Sequence, residues 1–139
     1  ENNIELVVTP APAQKLTDNI INYSTYITPN QIELTQLAEA HPELLKDHID
    51  KFVVTSGSKG CYYTVDAYRV DVPTMKAEVV DTTGAGDCFN GAFVSYIARG
   101  KDLQESCHFA NTAASLSVEK FGAQHAMPTI DQVLERMNQ

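Results

Sequence analysis

Residues 79–93 read VVDTTGAGDCFNGAF, in which residues 81–87 set two glycines and two aspartates between an apolar run and a stretch of helical spacing. Ala77 to Val80 is expected to close a buried strand, and Cys88 to Ala98 has the spacing of a helix that packs on a sheet. Gly84 and Gly86 permit backbone angles and close approach that a side chain would obstruct, so the NH groups of residues 84 to 87 can face one concavity. They also stand at the amino end of a helix, where the peptide dipoles favour negative charge. The turn therefore reads as an anion hole. Asp87 would repel such an anion unless it acts as a base on the group that attacks it, a condition that phosphoryl transfer meets. The structural alternative is that Asp87 caps the helix and the glycines only turn the chain.

Outward from this turn, strands and helices alternate. Ile4 to Val8 is expected to be a strand stopped by Pro10 and Pro12, and residues 14 to 22 a helical turn or two. Tyr26 to Thr28 reads as a short strand ended by Pro29. A helix begins near Asn30 and covers Leu34 to Ala40, with a second helical piece from Glu43 to Lys46 after Pro42. Phe52 to Thr55 is a strand with the turn SGSKG behind it, and Cys61 to Val65 with Tyr68 to Val72 alternates like a hairpin. The helix after the GAGD turn runs to about Ala98 and is closed by Gly100; others cover Leu103 to about Glu119 and Thr129 to Met137, the last with Thr129 or Asp131 near its N-cap and with Leu134 and Met137 in the core. This order implies a mostly parallel α/β sheet with helices on both faces. Ligands of such sheets sit beyond the carboxyl ends of the strands, where TPAPA, TPNQIE, TSGSKG and DTTGAGD all fall.

Length and composition narrow the functional classes. A chain of 139 residues with 43% hydrophobic content can bury one core. Its net charge of −8 provides no field for nucleic acid. No apolar run is long enough to span a bilayer and no basic signal segment opens the chain, so a cytoplasmic protein is expected. Cys61, Cys88 and Cys107 lack the number and spacing of a disulfide framework or a zinc site and are read as reduced and buried. The four histidines lack metal-ligand spacing. The beginning, without Met and almost at once on a strand-like run, is expected to be the second part of something longer.

Two general phosphate-binding patterns fail: there is no G-x-x-x-x-G-K-[ST], and G-A-G-D-C-F departs from G-x-G-x-x-G at its last position. Asp81-Thr-Thr-Gly-Ala-Gly-Asp87, followed by Cys-Phe-Asn-Gly-Ala-Phe93, closely resembles the C-terminal motif of the PfkB-type carbohydrate kinases. The similarity extends through TPAPA at 9 to 13, ITPNQIE at 27 to 33, TSGSKG at 55 to 60 and GAQ at 122 to 124, nearly the whole chain. The resemblance implies the C-terminal, ATP-binding portion of a ribokinase-like (Rossmann-like) fold, without the N-terminal sugar-binding half and its lid.

Carried over by position, the resemblance makes Asp87 the catalytic base and Gly84, Ala85 and Gly86 the anion hole in transfer of the γ-phosphate of MgATP to a sugar hydroxyl, ribose being favoured. Asn30 and Glu33 match an N-x-x-E tied to magnesium and phosphate, Glu33 acting through water. Their alternative is a helix start with a capping box. Thr55, Gly57 and Gly60 match the loop along the nucleotide, and Asn111 falls where the family contacts adenine. Asp81 and Thr83, with backbone groups near Lys120 and Gly122, correspond to a monovalent-cation site; Ala126 stands where a Ser oxygen is expected, a departure that bears on potassium. Fructokinase and nucleoside kinase are the alternatives within the family. An alternative of another class is a nucleotide-binding or assembly module without turnover, a homo-oligomer pairing through the sheet edge near Ile4 to Val8.

Overall fold

The computed structural model describes residues 3–11 and 16–139, so Pro12 and Ala13 of TPAPA, with the start of the helical turn expected from residue 14, lie outside the described residues. Two compact units emerge, one of residues 1–57 with 61–71 and one of 58–60 with 72–139.

In the first unit, β1 (Val7–Val8) pairs parallel with β2 (Tyr26–Ile27), Val8 opposite Ile27. Bridges Ile27 to Phe52 and Asn30 to Thr55 carry the parallel arrangement on to β3 (Val53–Thr55). β3 then pairs antiparallel with β4 (Cys61–Val65), which is followed in the sheet by β5 (Tyr68–Val72). The hairpin between β4 and β5 turns on Asp66 and Ala67, both left-handed at φ 50° and 67°, the twist that tight hairpins require. The helices are α1 (Asp18–Tyr23), α2 (Gln31–Ala40) and α3 (Pro42–Asp47). Pro42 occupies the first position of α3, where its fixed φ suits the helix and its missing NH costs nothing. Leu16, Ile21, Ile27, Leu37, Phe52 and Val54 form the core of this unit, each contributing about 1.5–3 kcal/mol.

The second unit is built on α4 (Ala85–Ala98), α5 (Leu103–Ser117) and α6 (Ile130–Met137). Small residues on α5, Cys107, Ala110 and Ala113, are fully buried and let its neighbour approach closely. The rings of Tyr96 on α4 and Phe109 on α5 stack at 3.7 Å between centroids. Gly100 ends α4 in the left-handed conformation, its NH donating to Ile97 O at 2.9 Å. All three cysteines are buried and none is joined in a disulfide, and burial pushes the Cys88 thiol up.

Three expectations need correction. Ala77 to Val80 is no strand: Val79 is 63% and Val80 51% exposed, and Val80 N donates to Val118 O at the end of α5. The β-branched pair has the composition of a strand, but its hydrogen bonds go to a helix terminus. The strand expected from Ile4 starts only at Val7, and Ile4 is exposed. On α6 the buried residue is Val133, whereas Leu134 is 38% exposed. Among the described residues no helix is long and apolar enough to cross a membrane.

Candidate functional site

The DTTGAGD turn enters α4 through Gly84, the N-cap, at φ 77° and ψ 4°. No side chain caps this helix. The left-handed angle favours glycine, and a Cβ there would lie 2.9 Å from that of Ala123. Gly86 differs, because a Cβ there would meet nothing within 4 Å. Its lack of a side chain is therefore not required by packing, although helix propensity disfavours glycine by about 1 kcal/mol relative to alanine. Asp87 lies in the first turn of α4 with its side chain exposed, and it does not cap the helix.

Asp81 ties this turn to a second loop. Its Oδ1 accepts from the Thr83 hydroxyl at 2.7 Å and from Thr83 N at 3.0 Å, and its Oδ2 accepts from Gly122 N at 3.0 Å. The Thr83 hydroxyl, the Gly122 NH and the Thr83 NH together hold the Asp81 carboxyl below its usual value. Asp81, Thr83 and Gly122 are thus brought together as grouped from the sequence. The Lys120 side chain is exposed and borders a cleft of about 270 Å³ shared with Glu119 and Arg136.

Glu119 and Arg136 escaped the sequence reading because their partners are distant in the chain. Arg136 donates to Glu119 Oε2 at 2.7 Å, and Glu119 Oε1 accepts from Glu78 N at 3.3 Å. Also in this unit, Asn111 and Gly60 converge on one oxygen. Asn111 Nδ2 donates to Val72 O at 2.8 Å, and a Cβ on Gly60 would come within 2.1 Å of that carbonyl. Asn111 is buried, and part of its hydrogen-bonding capacity is spent on this tie.

In the first unit, Asn30 and Glu33 form a complete capping box at the start of α2. Asn30 Oδ1 accepts from Glu33 N at 2.9 Å, and Glu33 Oε2 accepts from Asn30 N at 2.8 Å. Thr55 is joined to this turn through the bridge to Asn30 and donates its NH to Pro29 O at 3.0 Å. Gly57 follows at φ 53° and opens a short 3₁₀ turn over 57–59. Among the described residues no three His, Cys, Asp or Glu side chains are placed to hold a metal ion.

Residues 1–130 match the pfkB family of carbohydrate kinases. Ribokinase of Bacillus subtilis strain 168 is 42% identical over 142 residues, which cover 99% of this chain and 47% of that protein. The crystal structure of ribokinase from Thermotoga maritima superposes with a TM-score of 0.89 at 32% identity, over 100% of this chain and 50% of the other. Arabidopsis thaliana ribokinase complexed with ribose and ATP gives 0.83 at 28% identity, over 96% and 47%. The chain spans about half the length of the curated relatives it matches. It has a ribokinase-like α/β fold and belongs to the pfkB family of carbohydrate kinases.

Proposed function

We propose that this chain is the C-terminal, ATP-binding part of a sugar kinase that transfers the γ-phosphate of MgATP to a sugar hydroxyl, with ribose the favoured acceptor. The observation that carries the proposal is the start of α4: a 14-residue helix that no side chain caps, with Gly86 open and Asp87 exposed in its first turn. The first NH groups of a helix have no partner within it. Ala85 N donates to Thr82 O at 3.2 Å, but no side chain caps the turn, so its amides can serve an anion, and the absence of a side chain at Gly86 allows a phosphoryl group to come close.

In the reaction, Asp87 accepts the proton of the sugar hydroxyl as its oxygen bonds to the γ-phosphorus. The bond from that phosphorus to the bridging oxygen breaks, and its electron pair leaves with ADP. The amides of Gly84, Ala85 and Gly86 stabilise the charge on the moving group in a geometry fixed beforehand. Thr55, Gly57, Gly60 and Asn111 are assigned to the nucleotide. Asn111 can take up that role only with what its tie to Val72 O leaves free.

Magnesium, when bound, would neutralise phosphate charge and orient the γ-phosphate. Glu33 fits it through water, since one carboxylate oxygen is already committed to Asn30 N and magnesium keeps much of its hydration shell. A monovalent cation fits less well. The Asp81 carboxylate already serves three donors, and Ala126 offers no hydroxyl, so no step depends on such a cation.

The proposal is tested by steady-state phosphorylation of ribose in the protein that carries this chain. Asp87→Asn should lower turnover by about 10²–10⁴ while leaving nucleotide affinity within a few-fold. Turnover at the unsubstituted rate would refute the assignment.

A further inference from the structure

We propose that Arg136, on the last helix, is a positioning residue for the turn at 81–87 and acts on it through Glu119. The inference rests on the phosphotransfer reading of that turn. Since residues 76–81 are not in a strand, something else must fix the direction in which they approach Gly84. Arg136 donates to Lys76 O at 3.5 Å, Glu78 N donates to Glu119, and both Val80 N and Asp81 N donate to Val118 O, at 2.7 and 3.1 Å. The end of α5 thus supplies the partners that a neighbouring strand would otherwise provide.

Glu119 is the shared node, one oxygen serving Glu78 N and the other serving Arg136 at 2.7 Å. The two side chains are 19% and 25% exposed, little enough for the pair to escape most solvent screening. Beyond the lead-in, Asp81 holds Thr83, and Gly84 follows directly. Loosening the lead-in therefore re-aims the amides of residues 84 to 87, although Arg136 touches none of them. Arg136 locks α6 to this relay, and its forked guanidinium suits it to reach a carboxylate and a carbonyl at once.

The test is amide hydrogen exchange on the protein that carries this chain, with MgATP affinity measured on the same samples by calorimetry. Arg136→Met should speed exchange at Glu78, Val80 and Asp81 about three- to tenfold, while the interior amides of α4 and α5 keep their rates. Arg136→Lys, which keeps the charge but not the fork, should recover part of the protection. MgATP affinity should fall by a similar factor in Arg136→Met. Unchanged exchange at 78–81 overturns the proposal, as does equal acceleration throughout α4, α5 and α6, or local loosening with unchanged affinity. If Arg136→Met does not fold, Glu119→Gln gives the same local readout. If the unsubstituted protein that carries this chain binds no MgATP, the phosphotransfer reading fails, while the exchange pattern still decides whether the relay exists.

Discussion

At the start of α2, Asn30 and Glu33 satisfy each other's backbone NH groups at 2.9 and 2.8 Å, whereas α4 starts on a left-handed glycine and has no side-chain cap. α5 and α6 follow the first pattern, with complete boxes at Asp102–Glu105 and Thr129–Gln132. A box spends the terminal amides of a helix on its own side chains. α4 spends none of its terminal amides on a side chain, although Ala85 N donates to Thr82 O at 3.2 Å, and it is held by its buried face, on which Cys88, Phe89, Phe93 and Tyr96 all lie. Stability and availability are thus separated along one helix: packing supplies the first, and the bare amino terminus supplies the second.

The largest effect on folding should come from the buried face of α4. Phe93→Ala should cost about 3–5 kcal/mol in denaturant unfolding, because its ring is completely buried and the cavity cannot fully close. A loss below that of a cap deletion would show that α4 is held some other way. For α2, Asn30→Ala should cost about 1 kcal/mol, the usual worth of an N-cap side chain. At α4, Asp87→Asn should cost no more than the smaller, salt-screened interaction with the helix dipole, about 0.3–1 kcal/mol. If Asp87→Asn destabilises more than Asn30→Ala does, the contrast between the two helix starts collapses and Asp87 is a structural residue.

Smaller still is the pH dependence of the clamp on the 122 loop. The Asp81 carboxyl is lowered from its ordinary value near 3.8, so the folded state binds its proton less readily than the unfolded state. Its contribution is therefore present above the unfolded value and is lost as pH falls through the folded one. Exchange of the Gly122 amide should accelerate below about pH 4, beyond the intrinsic pH effect, and Asp81→Asn should abolish that extra acceleration. An Asp81→Asn chain with the same acid response would assign it to other groups.

Most of this contrast was legible in the sequence, for a physical reason. Capping, tight turning and helix termination are local, so Asn30, Thr129, Gly100 and the β4–β5 hairpin announced themselves within a few residues. The D-x-x-E at 102–105 carried the same kind of signal, although the sequence reading did not use it. What escaped depends on distance in the chain. The bonds from Glu119 to Glu78 and from Asn111 to Val72 join residues about forty positions apart, and no periodicity encodes them; Asp81 and Gly122, equally distant, are grouped only through the family resemblance. Val79 and Val80 misled because apolar, β-branched residues look alike whether they pair in a sheet or hang from the end of a helix. The same distinction separates Val133 from Leu134, adjacent apolar residues of which only the first faces a core.

Gly86→Ala tests the central claim most directly, with Gly91→Ala as control, because a Cβ at either position on α4 would meet nothing within 4 Å. Each substitution should raise stability by about 0.4–1 kcal/mol through helix propensity and a less flexible unfolded chain. MgATP calorimetry on the protein that carries this chain should then find Gly91→Ala binding like the unsubstituted protein and Gly86→Ala binding at least tenfold more weakly, a methyl group now standing where the phosphoryl oxygens approach. Equal MgATP affinity in all three chains would contradict the account, since the open amino terminus of α4 would then serve no anion.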